Sequence, residues 1–234
     1  TWEKIPAADV VIHLGGASSA PMFAENLAGC YRNNVEGFIR VLEWSRAVGA
    51  TRVVYASTSS VYGNVTPPLR EDGPLDIPNF YAVSKYCMEQ IARMYHLQYG
   101  LDVVGFRFMS VYGPREEHKG RFANLVSQFI WNVERGESPV IYGDGSQTRD
   151  FTNVWDIAEA IRLSLEHPQP LGHEIFNVGT SEPTSINHLI EVLRELMPQP
   201  VTPQYIENPV KTGYVQSQQA SLEHVERVLG FRPS

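Results

Sequence analysis

Short β-rich runs alternate with longer amphipathic segments from the start of the chain, and this alternation limits the possible folds more than any other feature. Apolar residues fill 10–14, a helical pattern covers 26–48, and a second β-rich run follows over 52–57. A second helix is predicted over 80–99 and a third strand over 101–107. Strands this continuously apolar fit a parallel sheet with helices on both faces. The sequence therefore predicts an α/β, doubly wound parallel sheet.

The regular alternation loosens after Gly113, where prolines become frequent. This pattern indicates a smaller, mixed α/β C-terminal lobe. We expect two parts, residues 1–113 and residues 114–234, with the stretch near 150–180 returning to the first part. The predicted elements of the second part are helices over 124–135, 155–166 and 186–197 and a strand over 140–142.

Composition excludes several classes of protein. A net charge of -7 and scattered charges give no basic field for nucleic acid. The two cysteines, Cys30 and Cys87, lie in predicted helices without metal-ligand spacing, so we expect no disulfide, no metal site and a reducing compartment. No apolar run reaches the ~18 residues that a membrane span needs. These features favour a cytoplasmic protein without membrane or nucleic-acid partners.

Tyr81 and Lys85 are four residues apart in a predicted helix, so both side chains lie on one helix face. A tyrosine can act as a base at neutral pH only if positive charge lowers its pKa from about 10. Lys85 could supply that charge, and a bound nicotinamide cation could add to it. The alternative is an ordinary solvated pair on a helix surface.

A cluster of hydroxyl side chains, Ser57 to Ser60, follows the second predicted strand. Ligands bind at the carboxyl ends of strands in open α/β sheets. A hydroxyl there can bond both a substrate oxygen and a catalytic phenol. The alternative is a plain serine-rich turn.

Order and spacing make a resemblance specific. STSSVYG at 57–63, YAVSK at 81–85 and FRFMSVYGPR at 106–115 are followed by YGDGSQTRDF at 142–151 and FNVG at 176–179. The chain resembles the extended short-chain dehydrogenase/reductases of the NAD-dependent epimerase/dehydratase family, in particular UDP-glucose 4-epimerase-like members. The resemblance covers essentially the whole chain and implies a Rossmann-like sheet.

The resemblance also implies site residues. It makes Tyr81 the acid/base catalyst, Lys85 the ligand of the nicotinamide ribose, and Thr58 the hydroxyl partner. For NAD it implies contacts from Leu14, Gly15, Gly16, Asn34, Ser57, Tyr81, Lys85 and Phe108. For the substrate it implies Thr58, Ser110, Asn124, Leu125, Tyr142, Arg149 and Lys211.

Several of these assignments have a structural alternative. The glycines could form a simple turn, and Asn34 could face solvent. Arg149 suits phosphate because its fork donates two bonds, but it could pair with Asp150 or Asp156. Asn124 could begin a helix, and Tyr142 could pack in the core.

Reaction type follows from the residues after Thr58. Related dehydratases carry an Asp-Glu pair there, and related decarboxylases carry a glutamate just before VYG, whereas this chain has Ser59 and Ser60. The resemblance therefore favours NAD-dependent epimerisation at C4 of a nucleotide-activated sugar, with a UDP-sugar as the expected substrate. A reductase or dehydratase of the same family, or a nucleotide-sugar-binding fragment without catalysis, remains an alternative.

The chain departs from the family pattern at several positions. A strand with a glycine-rich turn that holds the pyrophosphate is absent before residue 10, so we expect a fragment of a longer protein. Ser110 stands where many epimerases have asparagine, and Lys211 and Tyr214 replace an arginine and an aspartate of the family. The sugar and the nucleotide are therefore open.

The resemblance implies a homodimer that packs two helices from each subunit. The matching helices cover 26–48 and 80–99. The candidate apolar contacts are Phe38, Val41, Leu42, Met88, Ile91 and Tyr95. The alternative is that this stripe belongs to the core, as most such stripes do.

Overall fold

The computed structural model describes residues 5–210 and 212–234, and Lys211 lies outside the described residues. The helices are α1 (Ala20–Glu25), α2 (Leu27–Tyr31), α3 (Gly37–Val48), α4 (Phe80–Tyr99), α5 (Leu125–Glu134), α6 (Val154–Glu166), α7 (Ile186–Leu196) and α8 (Glu223–Leu229). The strands are β1 (Val10–His13), β2 (Arg52–Ala56), β3 (Val103–Phe108), β4 (Ser110–Tyr112), β5 (Val140–Tyr142), β6 (Thr148–Asn153), β7 (His173–Val178), β8 (Pro183–Ser185) and β9 (Gln204–Ile206).

The predicted α/β fold is confirmed. Four parallel strands form the main sheet in the order β1-β2-β3-β7. Side chains that alternate along a strand point to opposite faces. Val53 and Tyr55 accordingly pack with α3 and α4, whereas Val54 packs with α6. The strands are thus covered on both faces.

Two small sheets form outside the main one. In the first, β4 pairs parallel with β6, and β6 pairs antiparallel with β8. In the second, β5 pairs parallel with β9. Helices α5 and α7 share a separate apolar cluster with β5, in which Phe129, Ile141 and Ile190 are buried. Asn124 and Tyr142, which adjoin this cluster in sequence, line one side of the cleft described below.

Helix α4 has the bounds that the sequence predicts. The Asn79 side chain accepts a hydrogen bond from the backbone N–H of Ala82 at 3.0 Å, which satisfies one free donor of the first turn. The helix ends at Gly100, which takes the left-handed conformation that glycine favours.

The helix predicted over 26–48 is interrupted. It consists of α2, a π-helical turn at Arg32–Glu36, and α3. A π turn inserts one extra residue and often marks a functional site. It carries Asn34, which is fully buried.

The apolar contacts expected between subunits belong instead to the chain's own core. Phe38, Leu42 and Met88 are fully buried against β2 and β3, with Ile91 and Tyr95 packed beside them. Val41 is buried as well. For Phe38, Val41, Leu42 and Met88 the alternative that such a stripe is core is therefore correct, because core packing and dimerisation share the helical period.

Cys30 is buried, Cys87 is partly exposed, and both are free thiols. Among the described residues, no helix is both long and apolar enough to cross a bilayer. The described part of the chain also contains no group of three His, Cys, Asp or Glu side chains arranged to hold a metal ion.

Candidate active site

One cavity of about 850 Å³ lies at the carboxyl ends of β1, β2 and β3. Its walls come from the loops after these strands, the first turns of α4, and the lobe formed by α5, β5 and β6. The predicted site residues that line it are Leu14, Gly16, Ser57, Thr58, Tyr81, Lys85, Phe108, Ser110, Asn124, Tyr142 and Arg149. Sequence-distant residues are thus brought to one cleft.

Tyr81 and Thr58 form the centre of the cleft. Tyr81 is only 8% exposed and packs against Phe23, with ring centroids 5.8 Å apart. Burial raises the pKa of Tyr81, and a hydrogen bond with the Thr58 side chain opposes that rise. Thr58 Oγ1 also accepts the backbone N–H of Ser60 at 3.1 Å, which fixes the hydroxyl.

The Lys85 ammonium is held at the end of β2. Its Nζ donates to the Ala56 carbonyl at 2.8 Å, and burial lowers the pKa of Lys85 to about 8. Burial and the Thr58 side chain account for the shift of the Tyr81 pKa in this structure, so a lowering of that pKa by Lys85 stays a prediction. A phenolate would need the additional positive charge of a bound nicotinamide.

Asn34 supports the cleft from behind instead of lining it. Its Oδ1 accepts from Ala17 N at 2.8 Å, while its Nδ2 donates to Ala17 O at 3.0 Å and to Ser84 Oγ at 3.1 Å. These bonds hold the amide in one orientation, and its contact with a cofactor stays a prediction. The alternative that Asn34 faces solvent is wrong, because the residue is fully buried. Asn34 instead fixes the loop after β1 against α4.

Position 16 in that loop requires glycine. Its φ is +149°, and a Cβ there would lie 2.8 Å from Asn34 Oδ1. Gly15 is exposed and does not line the cavity. Of the two predicted glycines, only Gly16 lines the cleft.

The residues present fit the nicotinamide-ribose half of NAD. The Lys85 ammonium has three donors, of which one bonds Ala56, so two remain for ribose hydroxyls. Gly16 and Lys85 line the same wall of the cavity. The glycine-rich turn that would hold the pyrophosphate is not within residues 5–210 or 212–234.

Arg149 lies at the lobe side of the cleft. Its guanidinium sits over the Tyr214 ring, 5.4 Å from the centroid, and donates to the Thr148 carbonyl at 2.7 Å. Asp150 instead accepts from Ala220 N and from the Thr180–Ser181 turn.

Asp156 accepts from Ser234 N. The alternative that Arg149 pairs with Asp150 or Asp156 is therefore wrong. Within the described residues, Arg149 has no recorded carboxylate partner. Burial lowers its pKa, and Tyr214 opposes that shift. A partly buried cation of this kind favours an anionic ligand.

The remaining lobe assignments have mixed outcomes. Asn124 caps α5, accepting from Val126 N at 3.0 Å, and also lines the cavity. Leu125 packs against the α5–α7 cluster and does not line the cavity. Tyr142 lines it, with its ring 6.5 Å from that of Tyr214. Lys211 lies outside the described residues.

Neither Gln218 nor Glu89 was predicted from the sequence. Gln218 lines the cavity, accepting from Ser110 Oγ at 3.0 Å and donating to Ser59 Oγ at 2.9 Å. No local pattern marks it, because its segment has no regular structure. Glu89 could have been found, since it continues the four-residue spacing of Tyr81 and Lys85.

Comparisons with known proteins agree with this geometry. Residues 2–179 match the model of the NAD dependent epimerase/dehydratase family. A UDP-glucuronate 4-epimerase of Thermodesulfobacterium geofontis is 36% identical over 227 residues, covering 95% of this chain and 67% of the relative.

Two of the solved structures with a similar fold are those of proteins bound to UDP-sugars. A UDP-N-acetylglucosamine 4-epimerase from Methanobrevibacter ruminantium, in complex with UDP-N-acetylmuramic acid, superposes with a TM-score of 0.90 at 30% identity, covering 97% of this chain and 71% of that one. MoeE5 in complex with UDP-glucose and NAD has a TM-score of 0.88 at 31% identity, with coverages of 97% and 74%.

Proposed function

The chain belongs to the NAD-dependent epimerase/dehydratase family, and from that premise we propose that it serves NAD-dependent epimerisation at C4 of a UDP-sugar. The observation that carries the proposal is one cleft that joins Thr58, Tyr81 and Lys85 to Arg149. Three similar proteins act on or bind UDP-sugars, and one of them is bound to NAD.

The residues divide the chemistry between them. Tyr81 removes the proton of the C4 hydroxyl and later returns it, while Thr58 aligns the sugar oxygen with the phenol. Lys85 binds the nicotinamide ribose. Bound NAD supplies the chemistry of accepting the C4 hydride and giving it back.

A change in configuration requires the 4-keto sugar to turn before reduction. Arg149 would hold the diphosphate while the sugar rotates, since a guanidinium matches phosphate oxygens. Asn124, Tyr142 and Tyr214 surround the nucleotide side of the cleft. Ser110 and Gln218, which also line the cleft, would contact the sugar.

The direct test is interconversion of C4 epimers. The complete polypeptide that carries this sequence is incubated separately with UDP-glucose, UDP-glucuronic acid and UDP-N-acetylglucosamine, and products are followed by proton NMR. We expect the C4 epimer of one of them. Release of a dehydrated or decarboxylated product, or binding without turnover, would favour the alternatives.

We also propose a homodimer, formed through the outward faces of α3 and α4. These faces expose Ile39, Val83, Met94 and Leu97, at 37%, 42%, 42% and 60%. Burying such side chains between subunits would stabilise a dimer. Light scattering of the wild type should give twice the mass of one chain. The Leu97→Glu variant should give the mass of a single chain. A monomeric wild-type protein at micromolar concentration would contradict this assembly.

The proposal places the protein in the cytoplasm. Both cysteines are free thiols, as a reducing compartment favours.

A further inference from the structure

Three consecutive residues at the end of β2 are each tied to one face of α4. The Ala56 carbonyl accepts from Lys85 Nζ at 2.8 Å, and the Ser57 hydroxyl donates to Glu89 Oε1 at 2.5 Å. Thr58 bonds Tyr81. The three helix residues are spaced by four, so they lie in a row along the helix. We call these three links the loop–helix row.

Glu89 is the most rigidly held member of the row. It is fully buried, and Arg107 binds both of its carboxylate oxygens, Nε to Oε1 at 2.9 Å and Nη2 to Oε2 at 2.8 Å. A two-point pair of this kind fixes the plane of the carboxylate. The acceptor for Ser57 is therefore held in one place.

Arg107 in turn is anchored away from the cleft. Its Nη1 donates to the Tyr62 hydroxyl at 2.9 Å, and that hydroxyl donates to Asn177 Oδ1 at 2.8 Å. The pair thereby connects β3, β7 and the turn at Ser59–Tyr62 to α4. These elements all surround the loop that carries Thr58.

We propose that Glu89 is a positioning residue, which acts through Ser57 to hold Thr58 in line with Tyr81. The inference rests on the proposed function and assigns this ion pair a part in the reaction. The Ser57 hydroxyl has one proton, and it donates that proton to Glu89. It therefore has no proton left to donate to NAD.

The chain offers a matched control at the other end of the same strands. Arg52 Nε pairs with Asp102 Oδ2 at 2.7 Å, and the two side chains are only 8% and 7% exposed. This pair links the beginnings of β2 and β3, opposite the cleft. Its loss should cost stability without displacing Thr58.

The test uses Ser57→Ala, Glu89→Gln, their double variant and Asp102→Asn, all in the complete polypeptide. Ser57→Ala keeps the Arg107–Glu89 pair, so the variant should fold. We expect Ser57→Ala to lower kcat by about 10- to 100-fold with KM within about twofold, because a small misplacement near the reacting atoms has effects of that size. Asp102→Asn should leave both constants unchanged.

The double variant tests whether Glu89 acts through Ser57. If it does, Glu89→Gln has no further effect in the Ser57→Ala background, and the double variant has the kcat of Ser57→Ala, because alanine has no hydroxyl for residue 89 to hold. Multiplying effects would overturn the inference. So would an unchanged kcat for Ser57→Ala.

A second readout does not depend on turnover. Amide hydrogen exchange over residues 56–60, measured without nucleotide, should be faster in Ser57→Ala than in the wild type and unchanged in Asp102→Asn. Equal exchange would overturn the positioning role. A wild type that epimerises no UDP-sugar would refute the proposed function. The exchange rates over residues 56–60 would still show whether the Ser57–Glu89 hydrogen bond holds the loop.

Discussion

Tyr81→Phe is expected to lower kcat by about 10²- to 10⁴-fold, the range that one positioned acid/base contributes. The phenol is the group that the proposed mechanism uses to move the C4 hydroxyl proton, and phenylalanine has no proton to move. The ring should keep its packing against Phe23, so KM for the UDP-sugar should change little. Steady-state kinetics of the complete polypeptide measure both constants.

Tyr95→Phe is the control for this variant. Tyr95 lies on the same helix and donates its hydroxyl proton to Glu43 Oε1 at 2.6 Å, in an exposed contact away from the cleft. Its kcat should equal that of the wild type. Turnover by Tyr81→Phe within about threefold of wild type would remove Tyr81 from the acid/base role.

Arg107→Met should produce the largest loss of stability. It leaves Glu89, whose side chain is 0% exposed, without its ion-pair partner. Breaking a buried pair on one side costs about 3–5 kcal/mol, which for a chain of this size lowers Tm by on the order of 10 °C. Calorimetry or circular dichroism measures the shift.

The double variant Arg107→Met/Glu89→Met shows how much of the stability loss comes from an unpaired buried charge and how much from lost packing. Replacing both members of a buried pair by apolar side chains is often close to neutral. Much of the lost Tm should therefore return in the double variant. A single variant that melts within about 2 °C of the wild type would mean that the pair is solvated in solution.

The sheet and its helices were largely predictable from the sequence, for a local reason. The strands carry unbroken apolar runs, and α4 has both an asparagine cap and a terminal glycine, so its bounds were found to the residue. The π turn was not predictable, because nothing in its composition shows one inserted residue.

The site was predictable only as far as spacing and family resemblance reach. Thr58, Tyr81 and Lys85 do meet in one cleft. The directions of Asn34 and Leu125 were not predictable, since a contact depends on which side of the loop or helix faces the cavity. The position of Glu89, in contrast, was predictable, because it continues the four-residue spacing of Tyr81 and Lys85 along α4.

The most direct test of the central claim follows the fate of the C4 hydrogen. UDP-sugar deuterated at C4 is converted by the complete polypeptide, and the product is analysed by mass spectrometry and NMR. If hydrogen leaves C4 and returns to it within the cleft, the inverted product keeps its deuterium. Loss of deuterium to solvent during inversion, or conversion to a product that is not the C4 epimer, would contradict the account.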